Sequence, residues 1–140
     1  MTEIYQPPGG PPQEGPSREI YAAMGEEAIF TMCRDFYREL EKSSLRPLFP
    51  HDMEEASQRS AAFFVGLLGG PPLYQRLYGP PRMRQQHLAF SIDAEAREIW
   101  LDCFRKTLVD AEARYAFPAE HLPGFIRFLE TFSAWMVNRA

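Results

Sequence analysis

Among the side chains suited to binding or catalysis, His87 has the most telling surroundings: Arg82, Arg84, Gln85 and Gln86 lie just before it, and Leu88, Ala89 and Phe90 follow. One flank is basic and the other apolar. A ligand such as haem asks for this combination, because it is an apolar disc that needs one neutral imidazole on its iron, hydrocarbon walls, and cations near its carboxylates. The same residues also fit a histidine that only caps or packs, and the local pattern by itself leans that way. His51, in a polar corner after Phe49-Pro50, and His121, among charges, read as solvated. Tyr37 and Trp100 each sit at the edge of an apolar helical stripe and carry a donor on a large ring. Such aromatics more often pack in a core and find one hydrogen-bond partner.

The remaining reactive types point nowhere in particular. Cys33 and Cys103 stand far apart without a CxxC, so they read as reduced, buried thiols rather than as a disulfide or a zinc site. Glu26-Glu27 and Glu54-Glu55 fall at helix starts, where negative charge suits the helix dipole, and do not form a converging acid/base pair. There is no Gly-rich phosphate loop after a strand, no HExxH and no GxSxG.

The elements that must position these residues are helical. Ser17 is a candidate N-cap for a short helix through about Met24 that Gly25 ends. Ile29, Met32, Cys33, Phe36 and Leu40 recur at three- and four-residue intervals and predict a helix over 26–42. Leu45, Leu48 and Phe49 then occupy a corner bounded by Pro47 and Pro50. Met53, Ala56, Ser60, Phe63, Phe64 and Leu67 repeat the helical spacing until Gly69-Gly70-Pro71-Pro72 stops it. A second breaker, Gly79-Pro80-Pro81, leaves 69–87 poorly regular, the kind of segment that carries function. Ala96, Ile99, Trp100, Cys103, Phe104 and Leu108 predict a helix over 93–113. Leu122, Phe125, Ile126, Leu129, Phe132 and Met136 predict a last one over 118–138, opened by Pro118. No stretch alternates with period two, so the class is all-α.

The bulk numbers set the outer limits. With 140 residues, 45% hydrophobic and 14% aromatic, the chain suits one domain with a single core. A net charge of -4, with its 15 Lys and Arg scattered, argues against a nucleic-acid partner. Residues 1–17 carry five prolines (Pro7, Pro8, Pro11, Pro12, Pro16) and are expected to form a disordered tail. The start does not resemble a signal peptide and no apolar run approaches a membrane span, so a cytoplasmic protein with no membrane association is expected.

Taken together, these features resemble the truncated haemoglobins of the second group. The resemblance is carried by Phe36-Tyr37, Leu48-Phe49-Pro50, Phe63-Phe64 with Gly69-Gly70-Pro71 and Tyr74, Gly79 followed by Arg82-Met83-Arg84, His87 with Phe90 and Ile92, and Trp100-Leu101. It covers roughly residues 20–105, with the last helix matching in character only. It implies a two-over-two helical sandwich over 18–140 in which a largely non-helical segment leads to the proximal histidine. It also implies haem b, with His87 as the iron's proximal ligand and the distal site served by Tyr37, Trp100, Ser60 and Ala56. Phe49, Phe63, Phe64, Phe90, Ile92 and Met83 would pack the pocket.

Several positions depart from the family's commoner pattern. Gln86 stands where many members carry Arg before the proximal histidine, which leaves Arg84, Arg82 or Tyr74 to meet the propionates. Gly79-Pro80 replaces a frequent Gly-His. Ala56 and Ser60 are small where larger globins often place a histidine and a bulky or amide side chain, which implies an open distal cavity. Phe49 occupies a corner where some members have a second tyrosine.

The expected function is binding of O2, NO or CO at a pentacoordinate iron, with conversion of NO to nitrate supported by an unidentified reductase. The alternative is a haem peroxidase in which peroxide enters the open distal site. A third class, a haem-free helical signalling or scaffold domain, would be marked by loss of the proximal histidine, and His87 is present. The chain is expected to be a monomer or homodimer.

Overall fold

The computed structural model describes residues 5–88 and 90–140, and its elements follow the apolar stripes closely. Helix α1 spans Ile20–Met24 and α2 Glu26–Lys42, parted by Gly25 at φ +84°. Ser17 sits just upstream of α1 and accepts the Glu19 N–H at 3.2 Å. Glu26 and Glu27 occupy the first turn of α2 and Lys42 the last, each sign facing the helix end that favours it. A 3-10 turn, Arg46–Leu48, forms the proline corner.

Helix α3 runs Met53–Leu67 and is capped by Asp52, which accepts the Glu55 N–H at 3.0 Å. After it come two short helices, α4 (Leu73–Tyr78) and α5 (Met83–His87). The segment expected to be poorly regular is therefore bordered and split by its glycine-proline breakers, with one short helix after each.

Helix α6 is Ala94–Thr107, capped by Asp93 through the Ala96 N–H at 2.8 Å. The helix expected over 93–113 breaks here. Asp110 takes φ +57°, a left-handed conformation that an α-helix cannot continue, and a separate α7 (Ala111–Tyr115) ends at Ala116, also at φ +57°. Aspartate tolerates that region because its short polar side chain bonds locally. The last helix also starts later than Pro118. A 3-10 turn (Ala119–His121) precedes α8, Leu122–Met136, because Pro123 lacks an N–H and fits only the first turn of a helix.

The four long helices make two crossed layers: α2 packs on α3 and on α6, and α6 packs on α8. Among the described residues there is no strand, and the architecture is the two-over-two helical sandwich. Phe36 of α2 and Phe104 of α6 stack at the centre, with ring centroids 4.0 Å apart and planes 28° apart. Phe64 and Phe125 approach Phe104 edge-on from α3 and α8. The fully buried rings Phe36, Phe104, Phe117 and Phe125, with Ile29, Met32, Leu40 and Leu68, form the core.

The first breaker is also a docking point. Gly69 takes φ +108°, and a Cβ there would fall 1.8 Å from the Arg18 carbonyl oxygen. The Tyr21 N–H donates to the Leu68 carbonyl at 2.9 Å beside it, so α1 is fastened to the end of α3. Of the stretch expected to be a disordered tail, residues 1–4 lie outside the described residues. Residues 5–17 have no helix but bury Pro7 and Pro16.

Candidate functional site

Between the two layers, under α5, lies a cavity of about 300 Å³ whose walls are mostly apolar. A volume of that order is the lower end for a small-molecule site. His87, at the C-terminal end of α5, forms part of its wall. Its Nδ1 lies 2.6 Å from the Met83 carbonyl oxygen, one helical turn back. A carbonyl can only accept, so Nδ1 carries the proton and Nε2 keeps its lone pair. Burial lowers the histidine's pKa, partly offset by the Met83 contact, so the ring is held neutral. A neutral imidazole oriented through its second nitrogen is the form that ligates iron.

Across the cavity stands a wall built by α2, α3 and α6. Tyr37 leads it, with its ring edge-on to Phe36 at 5.6 Å and to Phe49 at 5.7 Å. Burial pushes its hydroxyl well above the usual tyrosine range and the Ser60 side chain offsets part of that shift, so the group is a protonated donor. Ala56 and Ser60, one turn apart on α3, line the same wall, as does Trp100 of α6, packed edge-on against Phe36 at 5.3 Å. Phe49, Phe63, Phe64, Phe90, Ile92 and Met83 also line the cavity. These eleven residues, together with Tyr74 of α4, are thus brought together from five helices and two links.

Two of the expected residues are elsewhere. Arg84 points to the far side of α5, where its guanidinium stacks 4.4 Å over the Trp135 ring and donates to the carbonyls of Trp135, Val137 and Tyr5. With its donors committed to backbone oxygens, it does not line the cavity. Arg82 is exposed ahead of α5 and does not line it either. Tyr74 does, buried, with its hydroxyl 3.0 Å from Gln86 Nε2.

The cations at the cavity are ones the sequence did not single out. Arg59 of α3 lies in the wall, stacked 4.5 Å over Tyr78 and paired with Glu55 at 3.0 Å. Arg97 of α6 also lies there, held by the Ser133 hydroxyl at 3.1 Å and the Glu130 carbonyl at 2.9 Å. Phe132 and Met136 of α8 close the floor. Nothing local in the sequence distinguishes Arg59 or Arg97 from other solvent-face arginines. The one available signal is that Arg97 lies one turn before Leu101 and three residues before Trp100, on the side of α6 that faces α8.

The donor set suits an iron porphyrin. One neutral imidazole, a protonated tyrosine and two arginines line one mostly apolar, aromatic cavity.

Comparison with known proteins agrees with this geometry. Residues 19–135 match the bacterial-like globin family. A group 2 truncated haemoglobin of Bacillus subtilis is 36% identical over 89 residues, covering 63% of this chain and 67% of that protein. Among solved structures, phosphate-bound Hell's gate globin IV superposes with a TM-score of 0.82 and 39% identity over 92% of this chain and 80% of that one. The truncated oxygen-avid haemoglobin from Bacillus subtilis superposes with a TM-score of 0.76 and 32% identity, over 84% of this chain and 98% of that one. The chain spans little more than half the length of two plant relatives that it matches, from Arabidopsis thaliana and Lotus japonicus. The chain therefore belongs to the bacterial-like globin family, with group II truncated haemoglobins as its relatives.

Proposed function

We propose that this chain is a haem b protein that binds O2, and also NO or CO, with His87 Nε2 as the proximal ligand and Tyr37, Trp100 and Ser60 as the distal donors. The observation that carries the reading is His87 itself, neutral, with Nδ1 fixed on the Met83 carbonyl and its ring in the wall of the aromatic cavity. Haem, when bound, would supply the iron that takes up the diatomic ligand, held by His87.

The chain's residues then divide the work. Phe49, Phe63, Phe64, Phe90, Ile92 and Met83 exclude water from the disc, which strengthens every polar contact inside. Arg59 and Arg97, with Tyr74, would meet the propionates, the role that the resemblance implies for Arg84, Arg82 or Tyr74. Tyr37 and Trp100 donate to a ligand that gains negative charge on binding, so they hold the bound state more strongly than the empty one. Ala56 and Ser60 leave room beside that ligand. The Bacillus subtilis relative is an oxygen-avid haemoglobin, in keeping with such a donor set.

A finer proposal is conversion of O2 and NO to nitrate, which takes up one electron per turnover and so calls for a reductase. The peroxidase alternative needs a distal group that takes and returns a proton. Burial holds Tyr37 protonated, and Glu55 in the wall is tied to Arg59, so the ligand-binding reading has the better support. The buried thiols Cys33 and Cys103 are in keeping with a reducing, cytoplasmic setting. The deciding experiment is haem titration of the purified chain. A Soret band in the wild type that His87→Ala abolishes or shifts is expected, and an identical band in both would overturn the assignment.

A further inference from the structure

The proximal histidine stands at the end of a helix that cannot hold itself. Helix α5 has five residues, no side-chain N-cap, and a breaker before it, and a helix that short is unstable alone. Its packing partner is α8. Two side chains, one on each partner, fasten it to the chain's C-terminal segment.

The first is Asn138. Its Nδ2 donates to the carbonyls of His87 at 3.1 Å and Phe90 at 2.8 Å, and its Oδ1 accepts the Ile92 N–H at 2.9 Å. Two carbonyls face one end of the amide and an N–H faces the other, which fixes its orientation without ambiguity. The Asn138 N–H also donates to the Ile92 carbonyl at 2.9 Å. The second is Arg84, one turn before His87, which donates to the Trp135 and Val137 carbonyls at the end of α8 and to Tyr5. A helix end leaves its last carbonyls without partners in the helix. Here Asn138 takes up the carbonyl of the last α5 residue, and Arg84 takes up carbonyls at the end of α8. Helix α5 thus caps the end of α8, and the segment just past α8 caps the end of α5.

We infer that Arg84 and Asn138 are positioning residues for the proximal ligand, fixing the height and rotation of His87 by locking α5 and the link after it to residues 135–138. The inference rests on the haem reading for its consequence but not for its geometry. His87 meets this clamp through its backbone carbonyl, and its ring through Met83, the residue next to Arg84. Loosening either anchor lets the ring tilt, and the outer partners that orient a ligating histidine typically matter ten- to a hundredfold in affinity.

The test uses Asn138→Leu and Arg84→Met in the full chain, with Arg84→Lys as the conservative variant. In the haem-free protein, Asn138→Leu is expected to speed amide hydrogen exchange at Ile92 at least tenfold, a readout independent of haem. In the haem-loaded protein, both variants are expected to release haem about tenfold faster and to broaden or shift the iron–histidine stretching band, with Arg84→Lys between them and wild type. Unchanged exchange at Ile92 refutes the clamp. Variants that lose thermal stability but keep the wild-type stretching band refute the positioning role, leaving the clamp merely stabilising. A wild type that takes up no haem, yet shows the exchange effect, overturns the haem reading and leaves the clamp standing.

Discussion

Replacing Tyr37 by phenylalanine removes one hydroxyl from the distal wall and little else. The ring is held edge-on by Phe36 at 5.6 Å and Phe49 at 5.7 Å, contacts that phenylalanine reproduces. If Tyr37 is the proposed distal donor, the loss is that of a hydrogen bond to a partly charged ligand, worth about 1.5–3 kcal/mol. At roughly 1.4 kcal/mol per factor of ten, O2 release should speed up about ten- to a hundredfold. Ser60 shares the wall and has its own hydroxyl proton, so it can take over part of the role. The single variant is then expected near tenfold, and Tyr37→Phe with Ser60→Ala near a hundredfold. Because the two side chains are neighbours, their effects should be non-additive, and the full double-mutant cycle measures their coupling. The assay is stopped-flow displacement of O2 by CO, with Trp100→Phe run alongside. If the double variant and Trp100→Phe both release O2 within twofold of wild type, the distal assignment is wrong.

Gly69→Ala is expected to cost at least ~3 kcal/mol, since it adds left-handed strain to a clash with the Arg18 backbone that no rotamer relieves. Gly124→Ala, on α8 with only a flexible arginine tip 3.6 Å away, should stabilise by about 0.5 kcal/mol or more, and urea unfolding of both variants checks the contrast. Stability should also fall in alkali. Burial raises the pKa values of Cys33, Tyr37 and Tyr115 in the folded state, the last also through Asp35, whose carboxylate accepts its hydroxyl at 2.5 Å. The unfolded chain thus loses these protons first, so the contribution is complete below the ordinary values of about 8.5 for a thiol and about 10 for a tyrosine, and is lost above them. A urea midpoint for the haem-free chain that stays level from pH 7 to pH 10.5 would contradict this.

The helices were legible because they are written locally, whereas the residues of the cavity wall were expected only through the family resemblance, local pattern favouring a packing role for His87, Tyr37 and Trp100. Stripes such as Ile29, Met32, Cys33, Phe36 and Leu40 specify which face is buried whatever lies opposite, and α2 occupies the predicted span. The break after α6 was not legible, because Leu108-Val109-Asp110 contains neither glycine nor proline and its left-handed turn depends on tertiary packing. The arginines show the limit most clearly. Arg84 sits in the right place in sequence for a propionate, but its partners are backbone carbonyls 51, 53 and 79 residues away, and a carbonyl leaves no mark in a sequence. Arg59 and Arg97 reach the cavity through the way α3 and α6 are turned against α5, which no single stripe records.

The left-handed turn at Asp110 has a consequence for how the molecule can change. By cutting a helix of about 21 residues to the 14 of α6, it leaves four long helices of 17, 15, 14 and 15 residues, each roughly 21–25 Å. Matched in length, they wall the cavity together with α4, α5 and the links beside them. About one residue in six of the chain touches the cavity directly. Substitution at those positions alters the cavity's lining at first hand, whereas Ile29, Met32, Cys33 and Leu40 on the buried face of α2 lie outside it. A few substitutions can therefore reshape the cavity while the packing of the long helices on one another stays as it is.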